Sequence, residues 1–237
     1  MRVLFDNLIL DATLSGGDAS TNYPLTNLQD AFLQKRYQTI AGGDTTVICT
    51  FDADVTVDVV FVGYTNAAGI TATLKNAAAA TLDSDSFILS NGVAAIHFAS
   101  TYTTVRSIEF TVSGGAGTYV GGFAAGELYA LPDPIASWEE PYTDNSTTTI
   151  SPSGQSLQNY VQPLRQYRWT FREFTRAEIN ALRSEYQAVG SGARVWVLPF
   201  EDNQDFVEPL YATILEAPRT IKNGRRYNMT LAFQEAR

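Results

Sequence analysis

The stretch that decides the fold is "YRWTFREFTRAEINALRSEYQAVGSGARVWVLPF", residues 167–200, where a strand pattern gives way to a helix and then returns to a strand. Tyr167, Trp169 and Phe171 alternate with Arg168, Thr170 and Arg172, the period-two signature of a half-buried strand. Thr175 then offers an N-cap and Glu178 stands three residues on, a T-x-x-E capping box. Ile179, Leu182, Tyr186 and Val189 recur every three or four residues, so one apolar stripe runs along a helix over 176–189. Gly190 and Gly192 suit its C-terminal end. A cap fixes a boundary but does not hold so short a helix in water, so the stripe must pack on a sheet. That sheet is expected from Leu164–Phe174, "ARVWVLPFE", "EPLYATILEAP" and "RRYNMTLAFQEA", with "KNG" at 222–224 as a hairpin turn.

Working outward, the rest of the chain reads as short strands. "TTVICTFD", "DVTVDVVFVGYTN", "ITATLKN", "DSFILSN", "AAIHFAS", "VRSIEFTVSG" and "GGFAAGELYAL" are each closed by Gly, Asn, Ser or Asp. Strands at about ten-residue spacing with polar turns predict a β-sandwich. "ALPDPIASWEEP" carries Pro132, Pro134 and Pro141. Proline lacks an N–H and restricts the residue before it, so this segment reads as a linker. The expected organisation is therefore mainly β: a β-sandwich over 1–135 and a small α+β unit with a bent antiparallel sheet and one packed helix over 136–237.

Composition bounds the function. Of 237 residues, 45% are apolar and 17% charged, enough for a core and too few charges for a disordered chain. The net charge of −9 is uneven. Residues 1–135 are net −8 and 136–237 net −1, which argues against non-specific nucleic-acid binding by the first half. No run approaches the roughly 18 apolar residues of a membrane span. Asp6 and Asp11 interrupt the apolar start, so no secretory signal and no membrane insertion are expected.

One cysteine and one histidine leave little room for catalytic dyads or multi-histidine metal sites. Cys49, in "TTVICTF", reads as a small buried hydrophobe, and His97, in "AAIHFAS", as a partly buried strand residue. Asp52, Asp54, Thr56 and Asp58 share one face by period two and read as a solvated acidic face rather than a calcium site. No G-x-S-x-G, H-E-x-x-H or P-loop appears. Glu139 and Glu140 are adjacent, so on extended backbone they point apart. No catalytic, cofactor-binding or metal-ligating residue is expected.

Two resemblances add to this reading. "ATLSGGDASTNYPLTNLQDAFLQKRYQT", with its Asn-Leu-x-Asp turn at Asn27–Asp30 and Tyr37 after a basic pair, resembles the opening of galactose-binding-like (discoidin-type) jelly rolls. "VRSIEFTVSGG…VGGFAAGELYAL" is similar to that family's closing strands, so the resemblance covers 7–131. It implies a jelly roll and carries over no binding residue. Tyr23, Tyr37, Tyr64 and Tyr102 are the aromatics that could stack on sugar rings if this segment binds carbohydrate.

The second resemblance covers 147–237. "YRWTFREF", "TRAEINALRSEY", "GSG", "VWVLPF" and "RRYNMTLAFQEA" resemble, in order and spacing, the distal tail and minor tail proteins of long-tailed bacteriophages. This chain departs from the simplest members in placing a sandwich before the ring domain. The resemblance implies a virion structural protein made in the host cytoplasm. It would form a homo-oligomer, a hexameric ring, at the distal end of the tail, between the tail-tube protein and the hub or baseplate proteins, with DNA passing through its lumen. Two long connections are the expected interface elements: 151–164, with Leu157, Tyr160 and Val161, and 200–209, with Asp202, Asp205 and Phe206.

Overall fold

The structure is a computed structural model that describes residues 1–30, 33–40, 42–89, 93–132, 142–143, 146–150, 156–159, 164–190, 192, 194–199, 209–223 and 226–236. In chain order its strands begin with β1 (Arg2–Leu4), β2 (Thr13–Gly16), β3 (Tyr37–Gln38), β4 (Thr45–Thr65), β5 (Gly69–Lys75), β6 (Thr81–Ser86), β7 (Val93–Ser113), β8 (Tyr119–Gly126) and β9 (Tyr129–Ala130). Next come β10 (Tyr142–Thr143), β11 (Thr147–Ile150), β12 (Ser156–Asn159), β13 (Leu164–Phe174) and the helix α1 (Arg176–Val189). The chain finishes with β14 (Arg194–Leu198), β15 (Leu210–Ile214), β16 (Arg219–Asn223) and β17 (Arg226–Glu235). The strand pairs whose register is described are antiparallel, and α1 is the single α-helix among the described residues, as the mainly β reading expects. None of the described helices is long and apolar enough to cross a membrane.

The chain divides into two compact units: Met1–Leu131 with Val195–Tyr211, and Pro132–Arg194 with Ala212–Ala236. The first break falls at the proline-rich segment. The sequence division at 135 differs from this one in the segment Val195–Tyr211, which groups with the sandwich.

In the first unit, four of the expected short strands fuse into two long ones. β4 and β7 each run 21 residues and pair along both halves, with register shifts between Thr50 and Val59. These bulges bend the ribbon, so that it serves two layers. Its lower half lies between β2 and β5, with β6 beyond β5. Its upper half pairs with β8, and β8 with β3. Phe110 of one layer stacks on Phe123 of the other, centroids 3.9 Å apart, in a core that also holds Val47, Cys49, Val60, Val62 and Ile108.

A third layer explains why "VVFV" and "GGFAAG" are buried on both faces. β1 pairs with β14 on one side and β9 on the other. Trp196 of β14 stacks on Phe61, centroids 5.1 Å apart. The fit is tight: a Cβ added at Gly63 would lie 2.7 Å from the Trp196 ring, and one at Gly126 would lie 2.8 Å from Leu4. Small residues on these strands let the outer layer approach closely.

The same bulges correct the acidic-face reading of β4. Alternation fails across them, and Asp58 is buried, its Oδ1 accepting a hydrogen bond of 3.0 Å from the Leu128 amide. Arg106 clamps the bulge, donating from Nε to Asp54 Oδ1 at 3.1 Å and from Nη1 to the Asp52 carbonyl. His97 is exposed rather than partly buried, because Ala94, Ile96 and Phe98 take the inward positions. Its Nε2 accepts from Arg2 Nη1 at 2.8 Å. Cys49 is fully buried, and desolvation pushes its thiol up to about 12.

In the second unit, β13 spans the expected residues, with Tyr167, Trp169 and Phe171 buried. It pairs along β17, which pairs with β15 and β16. β16 and β17 bracket positions 224–225, so the expected turn at 222–224 falls partly outside the described residues. The helix occupies Arg176–Val189, and its capping box is complete. Glu178 N donates to Thr175 Oγ1 at 3.2 Å, and Thr175 N donates to Glu178 Oε2 at 2.6 Å. Gly190, at φ +80°, takes the chain out of the helix. Ile179 and Leu182 are buried, whereas Tyr186 is only half-buried, a correction to the expected stripe. Arg183 Nη2 donates to Thr220 Oγ1 at 2.9 Å, which seats the helix on the Thr220–Met229 face of the sheet.

The hydrogen bonds from Thr175 hold the Glu178 carboxyl below its usual range. Its ionised form is therefore favoured in the folded state. The stabilisation is present above the ordinary glutamate value of about 4.3 and lost as pH falls through the lowered one. Thr175→Ala is expected to cost about 0.5–2 kcal/mol at neutral pH. Denaturant melts should also show the difference between wild type and Glu178→Gln shrinking below about pH 4.

Candidate functional site

The Asn-Leu-x-Asp turn builds one end of the sandwich. The turn lies in a short 3-10 segment, Leu25–Gln29, with Leu28 buried. Asn27 Nδ2 donates to the Arg36 carbonyl at 2.9 Å, and Gln29 Nε2 donates to the carbonyls of Ile9 and Ala12 at 2.9 and 2.7 Å. These bonds fix the start of β3 and so place Arg36.

Arg36 is half-exposed, and its guanidinium lies 4.4 Å from the Tyr119 ring centroid and 5.4 Å from that of Tyr23. Among the described residues no carboxylate pairs with it. Asn66 completes the group, its Oδ1 accepting from the Tyr119 amide at 2.7 Å. The rim around them is tied together. Thr39 Oγ1 donates to the Gly115 carbonyl at 3.0 Å, Gln38 Nε2 donates to the Gly117 carbonyl at 3.3 Å, and Ser20 N donates to the Gln38 carbonyl at 2.8 Å. Two aromatic rings and a cation with no carboxylate partner among the described residues therefore meet on a rim whose backbone is already ordered.

Of the four tyrosines singled out from sequence, Tyr23 belongs to this group. Tyr37 does not: it is wholly buried, and its hydroxyl accepts from the Asp18 amide at 3.1 Å. Tyr102 sits elsewhere, its hydroxyl donating to Asp83 at 2.8 Å, a bond that raises its pKa. Tyr64 is half-buried at φ +52°. Sequence reading missed Arg36, Asn66 and Tyr119. The one available signal was the basic-aromatic "KRY" after the turn.

Of the expected interface residues, Leu157 lies on β12 opposite Thr149. The segment read as a long connection is thus in part a strand: β11 and β12 form a two-stranded ribbon. Tyr160, Val161, Asp202, Asp205 and Phe206 lie outside the described residues, as do Glu139 and Glu140. Among the described residues no group of three or more His, Cys, Asp or Glu comes together as a metal site.

Neither a family model nor a curated protein matches the sequence. Solved structures do, each over about half of this chain. Chitosan-binding module 1 of a chitosanase/glucanase from Paenibacillus sp. IK-5 is 15% identical, with 53% of this chain and 99% of that one covered and a TM-score of 0.43. The lectin domain of lectinolysin complexed with Lewis B antigen is 9% identical, with 51% and 95% covered and a TM-score of 0.43. A fucose-binding module of Streptococcus pneumoniae is 12% identical, with 51% and 94% covered and a TM-score of 0.43. The tail-ring resemblance of residues 147–237 finds no counterpart among these three, which are carbohydrate-binding modules or lectin domains by name.

Proposed function

We propose that this chain acts by binding rather than by catalysis, and that its first unit is a carbohydrate-recognition module. The observation that supports this reading is the Tyr23–Arg36–Tyr119 group. A sugar ring offers the complementary surfaces: a C–H face for an aromatic ring and hydroxyl oxygens for guanidinium N–H donors. The hydrogen-bonded rim lowers the ordering cost of binding.

Chitosan oligomers, fucose and Lewis B are the first probes for a glycan array with the full chain, hits being titrated by calorimetry. Arg36→Ala and Tyr119→Ala are each expected to weaken a hit at least tenfold while leaving the circular dichroism spectrum intact. An array with no hit at micromolar protein, or hits indifferent to both substitutions, would overturn the reading.

The β11–β12 ribbon favours a second, compatible reading, assembly of copies into a tail-end ring. It pairs with no third strand among the described residues, and Ile150 is 72% exposed. A two-stranded ribbon is marginal in water unless something covers it. A ring would place several sandwiches side by side, and multivalency would amplify a weak glycan affinity. Light scattering followed by negative-stain imaging tests this: rings support it, and a monomer at tens of micromolar rules it out.

A further inference from the structure

The outward face of the second unit's sheet carries a cleft of about 270 Å³. Its floor comes from the strand register. Thr170 of β13 and Arg219 of β16 flank Thr230 of β17 from opposite sides, while Arg168 stands opposite Ala232 and Ile221 opposite Asn228. Glu216 reaches in between. One of its carboxylate oxygens lies 3.1 Å from Arg168 Nη2 and the other 3.2 Å from Arg219 Nη2.

Two guanidiniums on one carboxylate leave a net positive charge. The arginine side chains are 59% and 76% exposed, so N–H donors beyond those spent on Glu216 face solvent. Exposed ion pairs contribute little to stability, so the fold gives no strong reason to gather these groups. What the arrangement does is gather two guanidinium groups on one carboxylate beside an open space. Beside them lie the Thr170 and Thr230 hydroxyls, 3.1 Å apart, the Asn228 amide, and an apolar wall from Ile221.

We propose that this cleft binds a sugar acid, a hexuronic acid residue of an acidic glycan. The ligand's carboxylate would take the free guanidinium donors, its hydroxyls would meet the threonines and Asn228, and its C–H face would lie on Ile221. The single net charge suits a monoanion. A phosphate dianion would bring a second negative charge beside Glu216 with nothing to offset it. The site belongs to a different unit from the tyrosine–arginine group, and it stands or falls independently of that reading.

The test is an NMR titration of the full-length protein with glucuronic acid, with glucose, acetate and inorganic phosphate as parallel arms. Saturable shifts at the Ile221 and Thr230 methyls with glucuronic acid alone are expected. Arg168→Ala and Arg219→Ala should each weaken them at least tenfold, and Thr230→Val several-fold, with the rest of the spectrum unchanged. Arg36→Ala should leave them untouched. No saturable shift, an equal response to glucose, acetate or phosphate, or full binding in both arginine variants would overturn the assignment.

Discussion

Replacing Trp196 by alanine is expected to destabilise the first unit by about 3–5 kcal/mol, the usual range for removing a buried aromatic. The indole is 3% exposed, stacked on Phe61 and packed against Tyr211 at 4.8 Å between centroids. The cavity cannot readily close. Its walls are strand backbone at Gly63 and the fully buried Phe61 of β4, held by pairing on both sides. The effect belongs to one unit. Hydrogen exchange at the Phe61 and Val62 amides should accelerate by the full loss, while that at Trp169 should not. A fragment ending at residue 131 lacks β14, so it should show the same exposed Phe61 face and bind a hydrophobic dye. A loss below about 0.5 kcal/mol, a surface-like value, would return Val195–Tyr211 to the C-terminal unit, where sequence reading put it.

Leu182→Ala should cost the second unit about 2–5 kcal/mol. Leu182 and Ile179 are the two fully covered positions of the helix, so its attachment to the sheet rests on few side chains. A capped helix of 14 residues does not persist alone. Losing this anchor should therefore loosen the whole helix, with exchange accelerating from Ile179 to Val189. Tyr186→Ala is the control, expected to cost less because Tyr186 is half-buried. Equal costs for the two, or a loss at Leu182 under about 0.5 kcal/mol in denaturant melts, would show that the stripe is not the anchor.

Helix α1 was legible to the residue, because cap, stripe and terminating glycine all act within one segment of chain. β13 was legible for the same reason, its alternation being unbroken up to Phe171. Legibility fell where the chain had to be read against a distant partner. "TTVICTFD" and "DVTVDVVFVGYTN" read as two strands, since polar residues separate them. They are one strand because the extra residues of β4 between Thr50 and Val55 are offset by those of β7 between His97 and Tyr102. Asp58 read as solvated by period two, yet it lies within the shifted stretch, between the Val57 and Val59 pairs, where alternation had already slipped.

The candidate sites follow the same division. The sequence alone determined a mainly β chain, a proline-rich break, a helix with both ends, a buried cysteine and an Asn-Leu-x-Asp turn. Each of these depends on neighbours within a few residues. Tertiary structure alone decided that Trp196 covers Phe61, 135 positions away in sequence, and that Arg36 lies between Tyr23 and Tyr119. It also decided that Arg168 and Arg219 share Glu216. Strand pairing sets those meetings, and it is a non-local choice. Shifting register by one residue moves a side chain to the opposite face, so composition and periodicity could name these residues without showing what they would touch.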